Sequence, residues 1–211
     1  FPQLIAGPIV QYKDIEKQLE NRTVTIDNFY DGVIYFIRGL GKKVLFANSI
    51  GAVYSDIMAG GIGNTSVITA WICIICYTLQ IYFDFSGYSD MAVGLGKMMG
   101  FEFIQNFNYP YKAKSIKDFW SRWHISLSSW FRDYVYMPVS TGAKLKELNK
   151  KLKKANVSKS LSRIILVTIP VFITWILTGL WHGTGSTYIM WGLYYAFIIA
   201  LSTAFSEMAS L

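Results

Sequence analysis

The sequence predicts an all-α polytopic membrane protein, in which spanning helices combine with re-entrant and interfacial amphipathic helices. Hydrophobic residues make up 53% of the 211 residues and charged residues only 16%, whereas roughly a quarter of an ordinary soluble domain is charged. Aromatic residues reach 17%, which is typical of proteins that contact both bilayer interfaces. Three uncharged apolar runs are long enough to cross a bilayer. This composition excludes a water-soluble or disordered protein.

The predicted spans are residues 67–83, 164–180 and 187–205, each an apolar run without a charged residue. The last two are separated by a short glycine-rich break and are expected to form a helical hairpin. Pro170 lacks a backbone donor, so a kink is expected there. Residues 33–50 are also apolar but contain three basic side chains, and we expect this segment to be tilted or partly interfacial.

A lysine-rich loop predicts the orientation of these spans. Residues 140–160 contain seven lysines and one glutamate, a net charge of +6 out of +7 for the whole chain. The positive-inside rule retains such a loop in the cytoplasm. Recognition of anionic lipid or nucleic acid is the alternative, but no basic groove with interleaved aromatic residues supports binding of nucleic acid.

Residues 84–138 are too polar to cross as one helix and too aromatic for water, so we expect them to lie at or re-enter the membrane. Within them, a helical period over residues 115–134 predicts one continuous amphipathic helix. Its apolar face includes Trp120, Trp123 and Trp130, and its polar face includes Asp118 and Asp133.

His124 lies at the edge of that apolar face, beside Trp120. It is either a hydrogen-bonded side chain of an interfacial helix or a functional residue. Arg122 and Arg132 lie on a flank where lipid phosphates, an acyl carrier or an anionic donor could bind.

Asp84, Ser86, Ser89 and Asp90 follow the first predicted span. Ionisable groups at membrane depth usually face a protein interior or a water-filled cavity, so these residues are candidates for the wall of a polar tunnel. The alternative is an interfacial helix terminus with its capping residues.

His182 is the second of the two histidines in the chain, and it lies between the two best-defined spans among Gly179, Gly183 and Gly185. A partly desolvated imidazole is neutral near pH 7 and can accept a proton, as a general base must. A polar residue in an outer loop is the alternative. Two histidines make a poor metal site unless carboxylates join them, so no metal is expected.

Four ordered blocks resemble the membrane-bound O-acyltransferase family, in particular its bacterial alginate O-acetyltransferase branch. They are FPQLIAGPI, FDFSGYSDMAVGLGKMMGFEFIQNFNYPY, DFWSRWHISLSSWFRDYVYMPV and LTGLWHGTGSTYIMWGLYYA. The branch continues past a YMP sequence with a PLGGNR-like segment, whereas VSTGAK follows Tyr136–Pro138 here, which leaves a donor contact in that loop open.

The resemblance implies that residues 1–211 are a fragment of a single catalytic core, which surrounds a tunnel through the bilayer. It places a catalytic histidine at His182 and a second motif residue at His124. Trp181, Arg122, Arg132, Asp84, Ser86 and Asp90 are the candidate substrate-binding residues. No bound cofactor is implied, because acetyl-CoA or an acyl carrier protein thioester is a substrate.

The leading hypothesis is therefore transfer of an acyl group, acetyl in this branch, from a cytoplasmic thioester across the bacterial inner membrane toward hydroxyls of a cell-surface polysaccharide. The resemblance also implies a separate extracytoplasmic acetyltransferase partner. D-alanyl transfer to teichoic acid, a transporter or flippase segment with a histidine proton relay, and a structural scaffold are the alternatives.

Overall fold

The computed structural model describes residues 7–61, 63 and 65–208, and every described element is helical. Residues 1–6, which begin the first of the four sequence blocks, lie outside this description. The α-helices are α1 (Tyr12–Asn21), α2 (Ile26–Gly41), α3 (Asn48–Ala59), α4 (Val67–Met98), α5 (Ile116–Arg122), α6 (Ile125–Phe131), α7 (Met137–Thr141), α8 (Ala143–Lys154), α9 (Lys159–His182) and α10 (Ser186–Met208). Lys42–Ala47 and Arg132–Tyr136 are π-helical, and Pro110–Lys112 forms a 3₁₀ turn.

The three predicted spans are confirmed as helices long and apolar enough to cross a membrane: Val67–Met98, Lys159–His182 and Ser186–Glu207. Helix α9 continues through Pro170, where the Thr174 hydroxyl donates to the Pro170 carbonyl at 2.8 Å. The chain is thus a multi-pass membrane protein of the all-α class.

Two expectations for the segments around α4 are wrong in their boundaries. The first span does not end at Phe83, because α4 continues to Met98 and carries the polar residues 84–90 within it. The interpretation of these residues as caps at a helix terminus is therefore wrong. Residues 33–50 are helical, but they belong to a longer course that runs from α2 through the π-helical segment into α3.

The predicted continuous helix over residues 115–134 is also wrong, because the chain breaks between α5 and α6. Trp123 is extended and His124 has a left-handed backbone with φ of 46°. The Ile125 N–H then donates to the Asn106 carbonyl at 2.9 Å instead of to a preceding helical turn. A hydrogen bond to a distant segment has replaced the helical bond that side-chain periodicity alone would predict.

The chain divides into two compact units. Unit 1 combines the chain up to Asn108 with His124–Ser126, and unit 2 combines Tyr109–Trp123 with the chain from Leu127. His124 therefore belongs to unit 1 and His182 to unit 2.

In unit 1, helices α2 and α4 cross at two pairs of glycines. A methyl group at Gly32 would lie 2.7 Å from the Gly94 carbonyl oxygen, and one at Gly39 would lie 2.5 Å from the Gly87 carbonyl oxygen. Both separations are too short for any side chain, so the two backbones are in direct contact. Small residues allow the close approach that stabilises helix pairs in a membrane.

In unit 2, helices α9 and α10 form the predicted hairpin, and they pack closely for the same reason. A methyl group at Gly179 would lie 2.5 Å from the Tyr188 carbonyl oxygen, and one at Gly192 would meet the Trp175 carbonyl oxygen. The buried core beside this crossing consists of Val171, Ala196 and Ile199, with partly buried side chains including Trp120, Trp175 and Phe172 against it.

Substitution of Gly39 by alanine tests the α2–α4 contact. The added methyl group meets backbone atoms of Gly87 and Met91, so the helices must separate. We expect the free energy of unfolding to fall by about 1–3 kcal/mol, the usual cost of overpacking. Thermal unfolding of the intact protein in detergent measures this change.

Gly41→Ala is the matched control, because no atom lies within 4 Å of a methyl group at this position on the same helix. Alanine also has the higher helix propensity, so stability should stay the same or rise. Equal melting temperatures for the Gly39 and Gly41 variants would contradict the proposed role of the glycine contact.

Candidate active site

His124 is held in unit 1 by its backbone and by its ring. Its backbone is left-handed, and the residue is buried. The ring packs edge-to-face on Phe85 of α4, with centroids 4.8 Å apart, and its Nδ1 lies 3.1 Å from Asn106 Oδ1. The prediction that His124 lies at the edge of the apolar face of a continuous helix is wrong, because the helix breaks at this residue and His124 instead contacts Asn106 in a buried polar cluster.

The contacts of Asn106 determine which nitrogen of His124 carries a hydrogen. Asn106 Oδ1 accepts the Ser126 backbone N–H at 3.1 Å and the Ser126 hydroxyl at 2.8 Å. A backbone N–H can only donate, so the atom that faces it must be the amide oxygen. His124 Nδ1 faces the same oxygen and therefore donates, which makes Nε2 the acceptor nitrogen of the neutral ring.

Several buried polar atoms of unit 1 have no hydrogen-bond partner among the described residues. They are Asn106 Nδ2 and the hydroxyls of Ser86 and Ser89. Asn106 is 2% exposed and Ser86 is fully buried. Because unsatisfied buried donors are costly and rare, such groups often mark the place of a water molecule or a substrate. Ser86 thus stays a candidate substrate-binding residue, and Asn106 is a further candidate that the sequence analysis missed.

Asp84 and Asp90 form ion pairs within unit 1. The Lys43 ammonium lies 2.5 Å from Asp84 Oδ1, and the Lys42 ammonium lies 2.6 Å from Asp90 Oδ2. Both lysines come from the π-helical segment that follows α2. The paired charges explain how carboxylates are tolerated on a membrane helix, and a role in lining a tunnel stays a prediction.

His182 is the last residue of α9 in unit 2, and aromatic rings surround its imidazole. Ring centroids lie 4.8 Å away for Trp181, 5.0 Å for Trp191 and 6.4 Å for Tyr188. His182 is exposed, as is Trp181. The ring is thus oriented by neighbours and yet accessible to a reactant.

Gly183 allows the turn that brings Tyr188 back beside His182. A methyl group at Gly183 would lie 2.6 Å from the Tyr188 ring. Only glycine therefore permits this approach, as its position in the LWHG block suggests.

An aromatic cluster extends from His182 through Trp191 into the core of unit 2. It consists of Trp120, Trp175, Trp191 and Tyr195, with Trp120 and Trp175 centroids 4.7 Å apart. The Trp120 indole N–H is buried and has no partner among the described residues. A buried donor beside the rings that contact His182 could bind an oxygen atom of a substrate. Side-chain periodicity contains no signal for this role, since it predicts only that Trp120 lies on the apolar face of an amphipathic helix.

The two candidate arginines each contact a neighbouring carboxylate. Arg122 Nε donates to Asp118 Oδ1 at 2.7 Å, and Arg132 Nε donates to Asp133 Oδ1 at 3.0 Å. The backbone N–H of Lys114 and the Arg122 guanidinium hold the pKa of Asp118 below its ordinary value. These contacts with Asp118 are present at neutral pH and are lost only as the pH falls through that lowered pKa. Binding of a phosphate by Arg122 or Arg132 stays a prediction.

Among residues 7–61, 63 and 65–208, no group of three or more His, Cys, Asp and Glu side chains is arranged to hold a metal ion. The geometry instead provides two imidazoles in different chemical settings. His124 is buried with a fixed hydrogen on Nδ1, whereas His182 is exposed at a helix end among aromatic rings.

Comparison with known proteins shows one family along the whole chain. The model of the MBOAT, membrane-bound O-acyltransferase family, matches residues 1–211. A probable alginate O-acetylase of Pseudomonas aeruginosa is 42% identical over 210 residues, which cover 100% of this chain and 36% of that protein. A peptidoglycan O-acetyltransferase of Helicobacter pylori is 37% identical, over 98% of this chain and 36% of the relative. A teichoic acid D-alanyltransferase of Bacillus subtilis is 31% identical, over 98% of this chain and 50% of the relative.

Substitution of Asn106 tests the acceptor that three donors share. In Asn106→Leu the Ser126 N–H, the Ser126 hydroxyl and His124 Nδ1 lose their common partner while they are buried. We expect a loss of unfolding free energy on the order of 3 kcal/mol or more, since each unsatisfied buried donor costs about 1–3 kcal/mol. Chemical or thermal unfolding of the intact protein measures it.

Asn106→Asp retains an acceptor oxygen for these donors and should lose less stability than Asn106→Leu. If the leucine variant were as stable as the wild type, the shared acceptor would not determine the conformation of His124.

Proposed function

The chain belongs to the membrane-bound O-acyltransferase family, and from this premise we propose that it is the membrane-embedded core of an O-acyltransferase. The proposed reaction moves an acyl group from a thioester donor toward the hydroxyl groups of a cell-surface polysaccharide. The chain spans 36% of the length of the alginate O-acetylase that it matches, so the activity proposed is that of the intact protein.

The observation that carries this proposal is the position of His182. Its imidazole ends a helix long enough to cross a membrane, and the rings of Trp181 and Trp191 orient it. An accessible neutral imidazole at such a helix end can act on a reactant that arrives at the membrane.

In the proposed reaction, His182 accepts the proton of the acceptor hydroxyl while the hydroxyl oxygen attacks the acyl carbonyl carbon. A new C–O ester bond forms, the C–S bond of the thioester breaks, and the proton passes to the departing thiolate. The result is an ester on the hydroxyl acceptor and a free thiol on the donor, and the partner acetyltransferase then passes the acyl group on to the polysaccharide. An acyl-histidine intermediate is a variant of this scheme.

His124 has a supporting role in this proposal. Because the His124 ring donates from Nδ1 to Asn106, its other nitrogen, Nε2, is an acceptor. We assign this nitrogen a contact with the acyl donor or with the hydroxyl that accepts the acyl group. The buried hydroxyl of Ser86 and the amide of Asn106 belong to the same unit and lack partners among the described residues. We assign Arg122, Arg132 and Trp181 to substrate contacts, and Asp84 and Asp90 to the polar wall of a tunnel.

The protein is proposed to lie in the bacterial inner membrane, with residues 140–160 on the cytoplasmic side. That side would accept acetyl-CoA or an acyl carrier protein thioester, and an extracytoplasmic acetyltransferase would complete delivery to the polysaccharide. The net charge of +6 on residues 140–160 supports this orientation.

Acetyl is the acyl group best supported by the comparisons. The identity is 42% to the alginate O-acetylase and 37% to the peptidoglycan O-acetyltransferase, but 31% to the D-alanyltransferase. D-alanyl transfer is therefore the second candidate.

A His182→Ala variant of the intact protein should remain inserted in the membrane and lose polysaccharide O-acetylation by at least about 100-fold, the lower range for loss of a general base. Ester-linked acetate released from the surface polymers by mild base gives the measurement. Met190→Ala is the control, because this residue is exposed on the neighbouring helix α10 and has no assigned role. Wild-type acetate in the His182 variant would contradict the proposal.

Labelled acyl donors distinguish acetyl transfer from D-alanyl transfer, and they also distinguish acyl transfer from transport. Membranes that contain the intact protein and its partner are incubated with acetyl-labelled thioester or with a D-alanyl carrier. Label should appear on the polymer from the acetyl donor. Incorporation from the D-alanyl carrier alone would favour the second candidate, and uptake into vesicles without transfer would favour a transporter.

A further inference from the structure

We infer that the cleft between helices α8 and α9 binds the headgroup of an anionic phospholipid. This inference rests on charge and geometry where the lysine-rich helix α8 meets the first turns of α9, and it does not depend on the proposed acyl transfer. It also gives residues 140–160 a function beyond that of setting the orientation.

Helix α8 has a polar and an apolar side. Leu145 is buried, and Leu148 and Leu152 are half-buried. The helix carries one acidic residue, Glu147, which pairs with Lys151 at 2.8 Å. It carries six lysines: Lys144, Lys146, Lys150, Lys151, Lys153 and Lys154. A basic helix with an apolar side that precedes a membrane-spanning helix is suited to the surface of an anionic bilayer.

The cleft where α8 packs near α9 has a volume of about 270 Å³. Its cationic lining comes from Lys153, Lys159 and Arg163, and its apolar lining comes from Val157, Leu166 and Val167. Most of its exposed lining is apolar. Positive groups beside an apolar floor match a phosphate attached to an acyl chain.

The charges of this cleft are not balanced by the protein. Arg163 Nε lies 3.0 Å from Glu207 Oε1, which offsets one of the three cations. Across the described part of the chain, no carboxylate lies within ion-pair distance of Lys153 or Lys159. Two cationic groups thus remain for one phosphodiester, which carries a single negative charge.

The apolar floor favours a lipid over other anions. Val157 precedes α9, and Leu166 and Val167 lie on its third turn, within the uncharged run that begins at Ile164. A nucleic acid or a purely polar anion would leave these side chains uncovered. An acidic carrier protein could bind the lysines of α8, but it would leave the apolar lining of the cleft uncovered.

The test compares two double variants of the intact protein that lose the same charge. Lys153→Gln/Lys159→Gln removes the two unpaired cations of the cleft, and Lys144→Gln/Lys146→Gln removes two lysines of α8 outside it. Binding of phosphatidylglycerol is measured by native mass spectrometry of the detergent-solubilised protein, with phosphatidylcholine as the zwitterionic reference.

We expect the cleft variant to bind phosphatidylglycerol on the order of tenfold more weakly, and the control variant to change by less than about twofold. Binding of phosphatidylcholine should be the same in all three proteins. Equal losses in the two variants would overturn the inference, because they would indicate a diffuse effect of charge.

Equal affinity of the wild type for the two lipids would also overturn it. A third result would overturn the inference as well: an acidic acyl carrier protein binds the wild type but not the cleft variant, while binding of phosphatidylglycerol is the same in both. Circular dichroism and the melting temperature verify that both variants are folded, and Lys153→Arg/Lys159→Arg, which keeps the charge, should restore lipid binding.

Discussion

Direct backbone contact at glycines is the constraint on which the rest of the structure depends. Lipid tails are as apolar as the side chains of a spanning helix, so helices in a bilayer gain little from the hydrophobic effect when they associate. Close approach restores an attraction through dispersion and backbone polar contacts. Unit 1 achieves it at Gly39 and Gly87, and unit 2 achieves it at Gly179 beside Tyr188.

The close crossing in unit 1 also explains how polar groups are accommodated on a membrane helix. Because α2 and α4 touch, the lysines that follow α2 reach Asp84 and Asp90. Ser86 is buried on the same helix, and the neighbouring Phe85 supports the ring of His124. The contact between α2 and α4 thus positions the two ion pairs, and α4 also supplies the Phe85 ring on which His124 packs.

Much of the fold could be predicted from the sequence because three helices each contain an uncharged apolar run of at least 17 residues. The continuation of α4 beyond Phe83 could not, since its polar residues are stabilised by lysines more than forty positions away in the chain. The break at Trp123 and His124 was missed for a similar reason. Side-chain periodicity continues through it, whereas the bond from the Ile125 N–H to the Asn106 carbonyl that accompanies the break joins segments far apart in the chain. Both histidines could be identified from their sequence blocks, but Asn106 and Trp120 could not, because their roles arise from tertiary contacts.

The length of α4 has a consequence for the membrane around the protein. Its 32 residues extend about 48 Å, whereas its uncharged first part extends only about 25 Å and a typical hydrocarbon layer is about 30 Å thick. The uncharged part is therefore shorter than the hydrocarbon layer, and local thinning of the bilayer or reaching of the flanking charged side chains to the interface relieves this hydrophobic mismatch. The acyl-chain length of the host lipids consequently influences the depth at which the Lys43–Asp84 pair lies. A protein of this design is matched to the thickness of its native membrane.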